Sequence, residues 1–294
     1  MKKNKIKKQN TSKKMGVGTI IMYIVLGFWA LTTIYPFFWV IMNSFRIKGE
    51  IRSDSFSIPM GDSFTFDNYI KAFDTVDIGL AYRNSLIISV TVTLFVIFIA
   101  GLAAFGMARY EFKGKQFVHS MIIASMMFPV FATIIPVFRM EVAMGIAGTS
   151  EVWKSIIATI LPQIAGNISF AMIVLMGFIR SLPVETEESA YLDGCNMYQI
   201  FFRIVMPMAK PSFATVAIFS FLWSYNDLFT QMFFLRYPNS RTVTLLLNEI
   251  SSQAGINYGF MASAVVLVIV PVIIVYIFLQ KNIIKGMTVG AVKG

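Results

Sequence analysis

A single cysteine, Cys195, stands in 294 residues. It excludes an internal disulfide and a cysteine-held metal cluster. A single histidine, His119, excludes a two-histidine metal site. No metal site is expected. Charge is also scarce. Asp, Glu, Lys and Arg make up 14% of the chain, where a soluble domain carries about 25%. That shortage argues against an ordinary cytosolic enzyme. No G-x-x-x-x-G-K-[ST] phosphate loop is present. The Gly114-Lys115-Gln116 run lacks the upstream glycine and the Ser/Thr. Neither a fixed-period repeat nor a low-complexity tract beyond a lysine-rich start is evident.

Apolar residues, by contrast, are abundant. The hydrophobic fraction is 56%, with 28 Phe and 19 Met, and the mean hydropathy is +0.70. The expected solvent is a bilayer, which a helix of about 20 apolar residues crosses. Six stretches qualify: 16–43, 85–108, 117–138, 155–179, 212–234 and 259–279. Prolines inside several of them are tolerable where neighbouring helices satisfy the freed carbonyls. The predicted fold class is an all-α polytopic membrane protein with six transmembrane helices. It divides into a basic tail (1–15), a first helix with an external loop (16–84), a core (85–281) and a C-terminal tail (282–294).

The net charge of +10 would also suit nucleic acid, but its distribution argues otherwise. Seven lysines fall within the first 14 residues, directly before a long apolar stretch. Basic residues hold such a helix end on the cytoplasmic side. That stretch is too long for a cleaved signal peptide, and no small-residue cleavage site follows it. With the N-terminus inside, the inner segments carry sixteen Lys/Arg and five acids; the other nine Lys/Arg lie outside and the other ten acids outside or at membrane depth. Both termini are therefore expected in the cytosol.

The inner connection at 180–211 contains LPVETEESAYLDGCNMYQIFFRIVMPMAKP. Pro183 can open a helix, and Glu185, Glu187 and Glu188 lie near its positive dipole end. Asp193-Gly194 marks a turn. A second helix follows, with Ile200/Ile204 and Phe201/Val205 at i,i+4 spacing. Such an object suits docking into a partner, or equally anchoring in lipid headgroups.

The segment resembles the EAA loop of ABC importer permeases, whose pattern is roughly E-A-A-x-x-D-G-A, then F-x-x-I-x-L-P-x-x-x-P. Glu188, Ser189 and Ala190 match E-A-A with one change, and Asp193, Gly194 and Cys195 match D-G-A with another. Phe201, Ile204, Met206, Pro207 and Pro211 continue in register. The ending Gly286 to Gly294 is similar to the tail of maltose-type carbohydrate permeases. So are Asn43-Ser44-Phe45-Arg46, Asn68-Tyr69, Asn84-Ser85-Leu86 and the Trp223…Asn226-Asp227 cluster, though the family usually has Trp-Asn-Asp contiguous. The chain looks like the second permease of such a pair.

The resemblance implies the type I importer fold with a cytosolic coupling helix, in a bacterial cell membrane. It implies a second homologous permease, two cytosolic ATPases that hold ATP and Mg, and an extracellular solute-binding protein or lipoprotein. This chain would bind no cofactor and catalyse no reaction. Glu188 would meet a basic residue of the ATPase, and Gly194 would permit close approach. Ala190 and Cys195 would keep the lever thin, while Leu192, Phe201 and Ile204 pack it back on the membrane domain. The C-terminal tail would also touch the ATPase. The external loop at 236–258 would reach the binding protein. The implied solute is a sugar, an oligosaccharide above all. An amino sugar, a sialic acid or a glycerol phosphate is the alternative.

Polar groups at membrane depth are costly without a use. Gln163, Asn167, Trp223, Tyr225, Asn226 and Asp227 are thus candidates for the solute path. Aromatic faces can stack on sugar rings while amides bond hydroxyls. Interhelical packing is the competing use. A membrane enzyme or an autonomous secondary transporter would leave the EAA-like loop unexplained.

Overall fold

The computed structural model describes residues 16–75, 77–253 and 257–291. The lysine-rich tail and the last three residues lie outside them. Among the described residues the architecture is helical, and the one pairing of extended chain is a bridge between Arg46 and Phe64.

Three helices are long and apolar enough to cross a bilayer: α1 (Val17–Ser44), α4 (Ile78–Arg109) and α7 (Val152–Ser181). Between the first two lie short α2 (Glu50–Ser53) and α3 (Asp67–Thr75). The stretch predicted as one span at 117–138 is two helices, α5 (Lys115–Ser125) and α6 (Val130–Ala143), bent by 103°. Pro129 precedes α6 with an extended backbone. Proline lacks the N–H that would continue the α5 ladder. Pro136 is accommodated inside α6.

After α7 come α8 (Glu185–Leu192), α9 (Met197–Ile200), a π-helical turn (Phe201–Val205) and α10 (Met206–Met208). The chain then turns by 83° into α11 (Lys210–Asn226). The turn falls at Ala209, between Pro207 and Pro211. The predicted fifth span at 212–234 is also interrupted. It stops at Asn226, and α12 (Leu228–Phe234) starts afresh after Asp227. Counting each bent pair as one span gives five spans among the described residues. The final helix, α14 (Tyr258–Ala291), follows α13 (Val243–Gln253). Thus part of the predicted loop at 236–258 is helical.

The main core lies where α4, α7 and α11 pack together. Ile88, Val92, Val96 and Ala100 of α4 meet Ala171, Leu175 and Ile179 of α7 and Val216 of α11. The middle of α1 is exposed over its whole circumference. A helix apolar all round and unburied has lipid or a partner as its solvent.

A small lobe ties the end of α1 to the start of α14. Phe45, Phe64, Phe66 and Tyr69 cluster. Asn68 donates to the carbonyls of Ser44 and Arg46 (both 2.9 Å). Ser263 of α14 donates to the Asn68 carbonyl (3.2 Å).

Candidate functional site: a helical hairpin and a polar break

The segment at 182–209 is built as a rigid hairpin. Glu185, Glu187 and Glu188 occupy the first turn of α8, where the helix dipole favours negative charge. Only Glu187 and Ala190 of this helix are buried. Three residues apart, they mark the face turned to the protein. The helix ends in a Schellman arrangement. The Gly194 amide donates to the Tyr191 carbonyl, and the Cys195 amide to the Ala190 carbonyl, each at 3.0 Å. Gly194 takes φ +84, a conformation cheap only for glycine. No atom lies within 4 Å of the position a Cβ would occupy there. Within the subunit, then, the glycine serves the turn.

The next helix starts at once. Asn196 accepts from the Gln199 amide (2.9 Å), and the Gln199 side chain accepts from the Asn196 amide (2.8 Å). This reciprocal capping box satisfies two donors that the helix start would leave unpaired. Ile200, Phe201 and Val205 are buried behind it. Phe201 sits 5.5 Å from Phe105 of α4, ring to ring. Its place is made by Gly101, where a Cβ would lie 3.2 Å from Phe201 and 2.8 Å from Phe213.

Phe201 and Ile204 pack inward as predicted. Leu192 does not. It is 88% exposed, beside Tyr191 at 70%. Both lie in the last turn of α8, where Leu192 falls about 200° round the helix from the buried Ala190, and they form an apolar tip. Glu188 is exposed and has no ion pair among the described residues. Ser189 is exposed as well, its hydroxyl spent on the Glu185 carbonyl (2.8 Å). Glu187 behaves differently. Its carboxylate is gripped by Arg109, the last residue of α4, with Nη2 at 2.7 Å from Oε1. Sequence reasoning put Glu187 near the helix dipole but did not pair it with Arg109, which stands 78 positions away. The available signal was the i,i+3 relation of Glu187 to Ala190.

At membrane depth the six path candidates separate into two groups. Gln163 is consumed inside the subunit. Its Nε2 donates to Asp227 (2.9 Å), and its Oε1 accepts from Ser224 (2.5 Å). Asn167 donates to the Gln163 carbonyl (2.7 Å). Asp227 also caps α12, accepting from the Thr230 amide (3.0 Å). Gln231 continues the chain, donating to the Ser224 carbonyl (3.1 Å) and accepting from Thr242. Ser224, Gln231 and Thr242 were not singled out by sequence, because none forms a motif. Tyr225 is buried. Trp223 and Asn226, in contrast, are exposed on one face of α11. Trp223 is held edge-on by Phe170 of α7 (4.8 Å between ring centroids) and tilted against Phe219 (5.8 Å).

Among the described residues no group of three or more His, Cys, Asp or Glu is placed to hold a metal ion. Arg46 and Asn84, both in motifs noted above, act as fasteners. Arg46 is 2% exposed and donates to Ser57. Asn84 donates to the carbonyls of Asn239 and Arg241 (both 3.0 Å).

The chain has relatives of known kind and a counterpart in overall fold. The chain is 34% identical over 272 residues to the diacetylchitobiose uptake system permease protein NgcG of Streptomyces coelicolor, covering 92% of this chain and 87% of that one. It is 30% identical over 284 residues to the melibiose/raffinose/stachyose import permease protein MelC of Bacillus subtilis, covering 96% and 98%. A crystal structure of a bacterial ABC transporter involved in the import of the acidic polysaccharide alginate has a chain of the same fold, with a TM-score of 0.73 at 21% identity. It covers 90% of this chain and 96% of that one. Residues 96–289, which include the hairpin and the polar break, match the model of the binding-protein-dependent transport system inner membrane component. The chain belongs to that family.

Proposed function

We propose that this chain is the membrane permease subunit of an ATP-driven importer that carries an oligosaccharide handed over by an extracellular binding protein. The observation that carries the reading is the hairpin. Its two helices are locked by a Schellman turn and a capping box. Its tip nonetheless exposes Tyr191 and Leu192 beside the free carboxylate of Glu188. An apolar tip flanked by charge, on a chain without a phosphate loop, is what a separate ATPase would grip. Glu188, Ser189 and Asp193 face that partner. Ala190, Cys195, Phe201 and Pro207 set the lever's shape, and Gly194 its turn.

In this reading six spans leave both termini in the cytosol, with α14 as the sixth. A second permease pairs with this one and two ATPases bind ATP and Mg, so the chain itself needs no cofactor. The sugar follows the face of α11 that presents Trp223 and Asn226. An indole face and an amide match the apolar faces and hydroxyls of a sugar ring. Gln163, Asn167, Tyr225 and Asp227 form the wall behind that face. The sugar assignment is supported by relatives that carry diacetylchitobiose and the raffinose series.

The test is copurification with labelling. Tagged chain should bring down an ATPase, and a cysteine at position 192 should be protected from maleimide until the ATPase is stripped. Substituting Glu188 or Gly194 should separate ATP hydrolysis from uptake while the complex stays assembled. Labelling of position 192 from the cell exterior would overturn the assignment.

A further inference from the structure

Three elements meet at the guanidinium of Arg109. Its Nε donates to both carboxylate oxygens of Glu187 (2.9 and 3.1 Å). Its Nη2 donates to Oε1 (2.7 Å) and to the Leu182 carbonyl at the end of α7 (3.1 Å). The two side chains are 9% and 11% exposed. A forked, water-poor contact of this kind fixes direction as well as distance. It is also one of only two buried attachments of α8, the other being Ala190.

The hairpin's second helix is fastened to the same span. Phe201 sits over Gly101 and against Phe105, both on α4. Thus α4 holds the hairpin at two levels, Arg109 and 101–105. At its other end α4 holds the external segment. Asn84 bonds the carbonyls of Asn239 and Arg241, and the Ser85 hydroxyl accepts from the Val243 amide (3.0 Å).

We infer that α4 is the shaft that carries movement of the hairpin to the external segment at 238–253, and that Arg109 and Glu187 are positioning residues that lock the hairpin to it. This rests on the reading of the hairpin as the ATPase-gripped lever. A pair that merely stabilised the fold would lower assembly. A pair that transmits would leave the ATPase seated and silence the far end.

The test uses the whole complex, purified through a tag on this chain, with Cys195→Ala and one reporter cysteine at a time. L192C reports docking at the tip. N239C, on an exposed residue beside Asn84, reports the external segment. The probe is ATP plus vanadate, and the readout is the maleimide labelling rate of this chain. In the otherwise unaltered complex, L192C is protected and the N239C rate changes about fivefold or more on adding ATP–vanadate. In R109A and E187A, L192C stays protected but the N239C response is lost. R109E/E187R recovers it, and R109K recovers part. The inference is overturned by a persisting N239C response in the single variants. It is equally overturned by an unaltered complex without a response, by loss of L192C protection in the single variants, or by a charge swap no better than its parents. If L192C is unprotected in the unaltered complex, the docking reading fails instead, and that result is separate from all the others.

Discussion

Gln163 of α7 donates its amide to the carboxylate of Asp227 at 2.9 Å, joining a long span to the break between α11 and α12. The opposite end of the same amide accepts from Ser224 at 2.5 Å. The break is therefore a pinned corner. Replacing Gln163 by Leu leaves the Ser224 hydroxyl without its buried partner and strips Asp227 of a donor. An unsatisfied buried group costs about 1–3 kcal/mol, and interhelical hydrogen bonds in membranes average nearer 0.6 kcal/mol. Q163L is expected to lower thermal stability by about 1–2 kcal/mol without changing the apparent affinity for sugar. Uptake kinetics beside a melting curve of the detergent-solubilised complex separate the two. A raised KM at unchanged Tm would move Gln163 from the wall into the path.

Gly194 offers a second test, because its constraint is purely conformational. Its φ of +84 is hostile to alanine, while the space for a Cβ is open. Alanine in the left-handed region costs about 1 kcal/mol, and asparagine visits that region at less cost. G194A should therefore uncouple ATP hydrolysis from uptake while the complex stays assembled, and G194N should retain more of the coupling. Equal loss in both would mean that the partner itself packs against the missing side chain.

The sequence pattern announced the hairpin well. The helix before Asp193, the Asp193-Gly194 turn and the Ile200/Phe201/Val205 face all reappear in the structure. Hydropathy windows also found where apolar chain lies. They missed the breaks after Ser125 and Asn226, since a window averages over a corner that one proline or one capping aspartate creates. Leu192 was misplaced for a different reason. It stands two residues after the buried Ala190, about 200° round α8, so it points away from the protein-facing stripe. Arg109 with Glu187 was beyond reach because no local rule pairs residues 78 apart. Asn43, Asn68 and Asn84 were legible only as family likenesses. Their shared use, donating side-chain amides to backbone carbonyls across chain separations of 12, 24 and 155 positions, needs the folded chain.

Gly101 makes a third prediction. A Cβ there would lie 2.8 Å from the Phe213 ring and 3.2 Å from Phe201. Both rings are buried and yield poorly, and overpacking costs about 1–3 kcal/mol. G101A should lower the melting temperature of the complex, and G101V should lower it further. Adding F213L to G101A should restore part of the loss, because the smaller side chain vacates the space. A double variant no more stable than G101A would show that Phe201, rather than Phe213, sets the clash.

Gly259 poses the sharpest case, since its obstacle includes backbone. A Cβ on this first turn of α14 would come within 2.6 Å of the Arg46 carbonyl and 2.7 Å of the Asn68 amide. The Arg46 carbonyl is itself bonded to that amide at 2.9 Å. Neither atom can retreat without opening the clasp that ties α1 to α14. G259A should thus destabilise the subunit by about 2 kcal/mol or more, combining steric strain with a broken buried hydrogen bond. The control is G27A on α1, where nothing lies within 4 Å of the added carbon. Alanine is the better helix former by about 1 kcal/mol, so G27A should be neutral or stabilising. Both substitutions add the same methyl group to a helix, so propensity alone predicts the same sign. Opposite signs in paired melting curves would place the difference in the clasp between α1 and α14. Matching signs would mean that the lobe at 45–75 is free to shift away from α14.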